Sequence, residues 1–388
     1  MSVLIVTLLG CTGTRPPVDR TAATPAVVAP AGTPTAAPEA LARLHRLLDD
    51  ERESYGAPGA LAVLRIHGTQ LAVASGVADT AGTPITEATR FRIASITKPI
   101  VAALVLDAVA RGQLGLDGVV AERLPGILRP TPPVTVRELL DHTAGIFDEG
   151  NDGDPIADVA RLSDPSLQAE ARSLMERYQS GEQVVASDRL LVALAETHDR
   201  YNAPGEAYHY SDIGYQLAAM VLQQATGQTL ADLVRARIAG PLGLRHTSLA
   251  PPDLASPELR GYDTNPADGS LVDVTDDLLA FGNGGNGGVI STADELLTAM
   301  QAIVSGRLLP APLVADMKRP HLGSYGLGLA TYDLSCGTFY GHGGSVNGTQ
   351  SIALVSDDGT EGVVIALNRR SSEDPGLPVL ADHLLCGG

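Results

Sequence analysis

The stretch Phe91-Arg92-Ile93-Ala94-Ser95-Ile96-Thr97-Lys98-Pro99 runs into an apolar segment over residues 100–109. That segment has helical spacing, and residues three apart on a helix share a face. Ser95 and Lys98 therefore point the same way, a hydroxyl beside an amine. A serine hydroxyl is a poor nucleophile until something takes its proton. An amine can take it only when neutral, and free lysine titrates near ~10.4. Burial at the head of an apolar helix disfavours the ammonium and predicts a lowered value for Lys98. The positive end of the helix would stabilise negative charge growing on Ser95 or on a carbonyl above it. Pro99 fits the first turn, whose amides have no partner inside the helix.

Composition points to the same pair. The 388-residue chain has 25 arginines and two lysines, Lys98 and Lys318. Arginine stays protonated and cannot act as a base. A lysine retained three residues after a serine marks a position that must be able to lose its proton. The net charge of −18 argues against nucleic acid and against adhesion to anionic lipid. The three cysteines, Cys11, Cys336 and Cys386, lack metal-ligand spacing, so neither a metal nor another cofactor is expected. With no tryptophan, the core must be built from Ala, Val, Leu and Ile.

Residues 1–11 form an apolar run, too short to span a bilayer, that resembles the end of a bacterial lipoprotein signal. Cys11 would then be the lipidated residue, although the basic n-region of an export signal is missing. Residues 12–38, rich in Thr, Ala and Pro, read as a disordered linker. The folded domain is expected over 39–388. Leucines 41, 44, 47 and 48 give an amphipathic helix. Residues 60–66 and 71–77 give a hairpin around His67-Gly68-Thr69-Gln70. From about 100 to 318 the pattern is mainly helical, with helices over 136–142, 188–196, 213–225 and 230–238, the last ended by Gly240-Pro241. The acidic stretch 146–187 reads as a flap or an insertion. Thr292-Ala293-Asp294-Glu295 reads as a capping box. Strands are expected over 325–332, 338–341, 351–355 and 362–368, with a turn at Asp357-Asp358-Gly359 and a last helix over 377–385. Strands at both ends around a helical middle imply an α+β architecture. One antiparallel sheet is built from the two termini, with a helical second lobe and the site in the cleft between them. Cys336 and Cys386 are either two buried thiols or, in an exported protein, a disulfide joining the last helix to the sheet.

Two further stretches carry chemistry. In Tyr208-His209-Tyr210-Ser211-Asp212, a phenol such as Tyr210 can relay a proton if a cation lies nearby. In Gly341-His342-Gly343-Gly344-Ser345, glycines after a strand let a substrate approach the backbone. The Ser345 and Ser95 amides would form an oxyanion hole, with His342 above the site as donor or proton carrier.

The order Ser-x-x-Lys, Tyr-Ser-Asp, His-Gly-Gly resembles the serine β-lactamase and penicillin-recognising enzymes: class C type β-lactamases, D-Ala-D-Ala carboxypeptidases and related esterases. Leu139-Leu140-Asp141-His142-Thr143-Ala144-Gly145, Gly287-Gly288-Val289-Ile290-Ser291-Thr292-Ala293-Asp294 and Tyr325-Gly326-Leu327-Gly328 resemble further segments of that family. The resemblance implies a β-lactamase/transpeptidase-like fold and an acyl-enzyme on Ser95. It implies proton traffic shared by Lys98 and Tyr210, and substrate contacts from Asp212, His342, Gly343, Gly344 and Ser345. His342 stands where class C β-lactamases carry lysine, which shifts the reading toward carboxypeptidases and esterases. Asp212 stands where the family more often has asparagine. Ionised, it only accepts hydrogen bonds, and an ion pair with Lys98 would hold that lysine protonated and move work onto Tyr210.

The leading expectation is an exported D-Ala-D-Ala carboxypeptidase-like serine hydrolase of the bacterial envelope. Its partner would be a small-molecule or peptide substrate, and the protein would be a monomer touching the membrane only through a lipid on Cys11. The alternatives are an esterase or β-lactamase on the same site, and a penicillin-binding-like lipoprotein without turnover.

Overall fold

The computed structural model describes residues 38–387, apart from 149–151, 154, 181, 183, 250–257, 276–283 and 371–375. Residues 1–37, with Cys11 and all of the expected linker but its last residue, and the first two residues of the 282–288 glycine run lie outside the described part.

Helix α1 (Pro38–Ser54) leads into strands β1 (Gly59–Ile66) and β2 (Thr69–Gly76). The hairpin turn uses His67 and Gly68, both at positive φ (+50° and +75°), the geometry whose twist matches paired strands. Strands β8 (Ala330–Leu334), β9 (Gly337–Val346), β10 (Thr349–Ser356) and β11 (Gly362–Leu367) return from the other end of the chain. Together they form one antiparallel sheet in the order β2-β1-β11-β10-β9-β8.

Strand β11 shows why the sheet is covered on both faces. It reads Gly-Val-Val-Ile-Ala-Leu and is buried throughout. Alternate side chains of a strand face opposite ways. Val363, Ile365 and Leu367 join a core with α1 and the last helix, α5 (Gly376–Cys386). Val364 and Ala366 join the larger core on the opposite face, with helices α2 (Thr97–Ala110) and α4 (Ala293–Val304). Helix α2 is buried nearly all round, as an apolar helix between two layers must be. A third long helix, α3 (Asp212–Thr226), packs beside it. Cys336, in the β8–β9 turn, is joined by a disulfide to Cys386, with Cα atoms 5.3 Å apart.

Several elements differ from the sequence expectation for physical reasons. The helical stretch 100–318 is not uniformly a second lobe. It supplies β7 (Val289–Ser291) and β4 (Ser248–Leu249), which form a small sheet with the preceding β3 (Phe91–Arg92), a hairpin of β5 (Tyr262–Thr264) and β6 (Leu271–Asp273), and α4, which lies on the large sheet. The acidic stretch carries a helix, Pro165–Gln179, started by an Asp164 cap followed by a proline at the first helical position. Gly240-Pro241 does not end its helix. The backbone widens to a π-turn over Val234–Ala239, which accommodates the missing proline N–H, and the helix stops at Gly243 with φ +70°. Thr292 caps α4, but Glu295 turns to the amides of Arg245 and His246 rather than closing a capping box. Of the strand expected over 325–332 only 330–332 lies in a strand, which then runs on to Leu334.

The largest difference concerns Gly341–Ser345. Rather than a turn after a strand, these residues are part of β9, paired with β10 in the register Gly341↔Leu354 to Ser345↔Gln350. Two of the glycines are there for close approach. A Cβ on Gly341 would fall inside the Ala353 carbonyl, and one on Gly344 inside the carbonyl of Ile93.

Candidate active site

Ser95 sits in a single 3-10 turn, Ala94–Ile96, that feeds α2. The preceding Ala94 has φ +49°, a conformation alanine rarely adopts and which costs about 1–2 kcal/mol. Strain of this kind persists where the surroundings over-determine it. Here the Ile93 amide is bonded to Val289 of β7 on one side, and Gly344 presses on the Ile93 carbonyl from the other. The turn is thereby wedged against β9.

One helical turn on, the Lys98 ammonium donates to Ser95 Oγ at 2.9 Å, to Asp212 Oδ1 at 2.6 Å and to the Asn286 carbonyl at 3.0 Å. An ammonium has three protons, and three acceptors surround this one. Lys98 is fully buried. Burial alone would strip its charge, but the Asp212 carboxylate and then the Tyr210 phenol outweigh it and hold the amine above its ordinary value. The expectation of a neutral lysine base made by burial is thus overturned. The ion pair foreseen for Asp212 decides the charge instead.

Tyr210 brings its hydroxyl to 3.0 Å from Ser95 Oγ, across 115 residues of sequence. Its ring lies 4.8 Å from the Lys98 nitrogen. Burial raises the phenol against the pull of Lys98, so it rests protonated. Asp212, the first residue of α3, sits where a helix N-terminus favours negative charge, and Ser211 caps that helix by accepting from the Gly214 amide.

His342 is buried on β9 and its Nδ1 lies against the Gly343 carbonyl. That contact places the ring proton on Nδ1 and leaves Nε2 as an acceptor. Burial, then Lys98, push the imidazole down to about 3. At neutral pH its one ring proton is engaged by the Gly343 carbonyl, so in the resting site Nε2 accepts and does not donate. Both backbone groups of Gly343 are engaged from the side facing away from β10, the carbonyl by His342 and the amide by the Tyr332 phenol. Backbone groups of an antiparallel strand alternate sides with a two-residue period. Ser345, two residues on and beyond the end of β8, therefore presents its amide to the same open edge. Ser95 and Ser345, whose amides were expected to form an oxyanion hole, both border one cleft.

That cleft, about 500 Å³, is bordered by Ser95, Tyr210, Asp212 and the stretch from His342 to Ser345, as the sequence predicted. It also contains residues the sequence reading passed over: Tyr208, Tyr325 and Tyr332. The first stands two residues before Tyr210, and the second opens the Tyr-Gly-Leu-Gly segment. The signal was present but carried no chemistry alone. A separate cavity of about 330 Å³ beneath β1 and β2 contains none of these groups. Among the described residues no cluster of His, Cys, Asp and Glu is arranged to hold a metal.

Comparison with known proteins places this geometry. A sequence model of the family described as Beta-lactamase matches residues 44–384. Esterase EstB of Burkholderia gladioli is 33% identical over 319 residues, covering 73% of this chain and 75% of the esterase. A D-aminopeptidase of Cereibacter sphaeroides is 26% identical over 347 residues, 85% of this chain but 60% of that protein, so the chain spans only part of that relative's length. The crystal structure of a D-stereospecific amidohydrolase from Streptomyces superposes with a TM-score of 0.71 at 29% identity, covering 89% of this chain and 99% of the other.

Proposed function

Since this chain belongs to the beta-lactamase family and is a serine hydrolase, we propose that it hydrolyses small uncharged carboxylic esters through an acyl-enzyme on Ser95. One observation carries the choice of substrate. Among the described residues bordering the cleft there is no cation free to pair with a substrate carboxylate. Lys98 is enclosed by its three acceptors, and His342 is neutral. The border is instead phenolic: Tyr208, Tyr210, Tyr325 and Tyr332. A D-Ala-D-Ala peptide would bring its terminal carboxylate into a site that does not balance it. The likeness to an esterase supports the same reading.

The resting protonation states suit a relay better than a free base. Ser95 Oγ attacks the ester carbon and passes its proton to the Tyr210 oxygen. Tyr210 passes its own proton to the departing alcohol, so the phenol stays neutral and the charges balance. The Ser95 and Ser345 amides receive the oxyanion. The Lys98 ammonium, 2.9 Å from the nucleophile, stabilises the charge that develops there. Water then attacks the acyl-enzyme, and the relay returns a proton to Ser95.

A second reading keeps the machinery and changes the substrate to amides of D-amino acids, including D-Ala-D-Ala peptides. Its support is the likeness to the Streptomyces amidohydrolase over nearly that protein's whole length. Comparing kcat/KM for p-nitrophenyl butyrate, a D-phenylalanine amide and an acyl-D-Ala-D-Ala peptide separates the two, with Ser95→Ala as the blank. We expect the ester to lead; a peptide or amide turned over as fast as the ester would overturn the assignment. A fluorophosphonate should label Ser95 fully, and a fluorescent penicillin, whose carboxylate the site does not balance, only slowly. Failure of both would favour a binding protein without turnover.

Export is part of the proposal. The Cys336–Cys386 disulfide suits an oxidising compartment, and Cys11 would carry the lipid. Mass spectrometry of the mature N-terminus from a bacterial host tests both. An unprocessed methionine in the cytoplasmic fraction would refute them.

A further inference from the structure

The segment Asp141-His142-Thr143-Ala144-Gly145 takes no part in the chemistry proposed above, yet it clasps the loop that carries Tyr210. The amide of Tyr201 donates to the Gly145 carbonyl at 2.9 Å, that of Gly205 to the Thr143 carbonyl at 2.9 Å, and that of His209 to the His142 carbonyl at 2.8 Å. Any residue could supply those carbonyls. The fourth bond is different: the Ser211 amide donates to Nδ1 of the His142 side chain at 3.1 Å. One residue thus holds the backbone on both sides of Tyr210. Its ring also lies against the phenol, centroids 4.3 Å apart at 33°.

His142 adopts φ +59°, a conformation that favours glycine or asparagine, and it is buried. The position keeps a histidine in a backbone geometry that resists one. The segment is itself braced. Asp141 accepts from the Thr143 hydroxyl at 2.6 Å and contacts His321 Nδ1 at 3.0 Å, and a Cβ on Gly145 would strike the Asn202 carbonyl.

We infer that His142 is a positioning residue, whose Nδ1 fixes residues 209–211 so that the Tyr210 phenol meets Ser95. The inference rests on Tyr210 acting as the proton relay. His142 does not exchange protons with the nucleophile itself. Its Nδ1 is occupied as an acceptor, which puts the ring proton on Nε2, and Nε2 has no hydrogen-bond partner among the surrounding tyrosine rings. Burial keeps the ring neutral.

The test compares His142→Gly with His142→Asn in the full chain, using p-nitrophenyl butyrate. Asparagine tolerates positive φ, and its Oδ1 stands at the same bond distance from the backbone as histidine Nδ1. Glycine relaxes the backbone and removes the acceptor. Misplacing a reacting group by about 1 Å costs on the order of 10²-fold. We therefore expect the glycine variant to lose ~10–100-fold in kcat with KM little changed, and the asparagine variant to recover most of it. Native kcat in the glycine variant would overturn the inference. So would equal losses in both variants that track their thermal unfolding midpoints, the mark of a merely structural residue. Should the glycine variant not fold, His142→Ala takes its place, since alanine and asparagine both lack the ring and only asparagine has the acceptor. If neither folds, asparagine decides alone and must stay near native. A Tyr210→Phe arm keeps the two ideas apart: native kcat there sinks the relay, whereas a large loss there with an unaffected glycine variant sinks only the role of His142.

Discussion

The two halves of the site are assembled in opposite ways. Ser95 and Lys98 lie three residues apart at the end of one buried helix, so local geometry alone brings them to 2.9 Å. Tyr210 and Ser345 arrive from distant parts of the chain, one on a clasped loop and the other on a strand whose register with β10 aims its amide. The local half is fixed by helical repeat. The distant half is fixed by tight backbone contacts. The charge on the local half, however, is set by the distant half, because Asp212 lies 114 residues from the lysine it holds charged.

The sharpest way to break this comparison removes one hydroxyl from each half. Ser95→Ala should abolish acylation, with kcat down on the order of 10⁴–10⁶-fold. Tyr210→Phe keeps the ring against Lys98 and removes only the relay, so a loss of ~10²–10⁴-fold is expected. Fluorophosphonate labelling and steady-state kinetics read both. If Tyr210→Phe changes kcat by less than a few-fold, the distant half supplies shape and not proton transfer.

A gentler intervention moves the halves apart. In Gly344→Ala the new Cβ meets the Ile93 carbonyl, which is backbone and cannot swing away. The Ser95 turn must back off from β9 and loosen the oxyanion hole, for an expected ~10²–10³-fold loss of kcat. Gly343→Ala is the matched control for the fold. Its Cβ meets nothing closer than the Ser351 carbonyl at 3.9 Å, so stability should be native while KM rises for bulky acyl groups as the cleft fills. Equal damage from the two alanines would refute the wedge.

What could be read from the sequence follows the same division. The two-ended antiparallel sheet, the hairpin at His67-Gly68 and the Ser95 helix were legible because each follows from a repeat of two or of 3.6 residues, or from a turn signal. Ser95, Lys98, Tyr210 and Asp212 were legible as residues, and their meeting followed from a family resemblance rather than from spacing. Two things were not legible. Glycines that permit a close strand crossing look like glycines that permit a turn, so β9 was cut short at 341. The charge of Lys98 was misread because burial was weighed without the carboxylate that overrides it. His142 was hidden for a related reason: its function is to accept a bond from a backbone amide 69 residues away.

Asp212→Asn tests the charge assignment directly, with a smaller effect. In the native protein the Lys98 amine is held above its ordinary value, so it contributes no pH dependence to stability below ~10, only a loss above it. Without the carboxylate, burial dominates and the value drops below that of the unfolded chain. The unfolded state then binds more protons than the native one, and stability must rise as pH goes from 7 toward 10. Thermal midpoints across that range should be flat for the native protein, as far as this group is concerned, and rising for the variant. Parallel curves would mean that Asp212 does not govern Lys98.

The smallest effect on chemistry is expected far from both halves. The disulfide ties the end of α5 to the β8–β9 turn, whereas Leu377 and Pro378, which border the cleft, lie at the start of the same helix. Leu380 and Leu384 still seat that helix on the sheet when the bridge is gone. Cys336→Ser should therefore cost about 2–4 kcal/mol in urea unfolding and leave kcat nearly unchanged. A loss of kcat alongside stability would show that α5 transmits its anchoring to the cleft wall. The site would then depend on a third region, and the division into a local and a distant half would be incomplete.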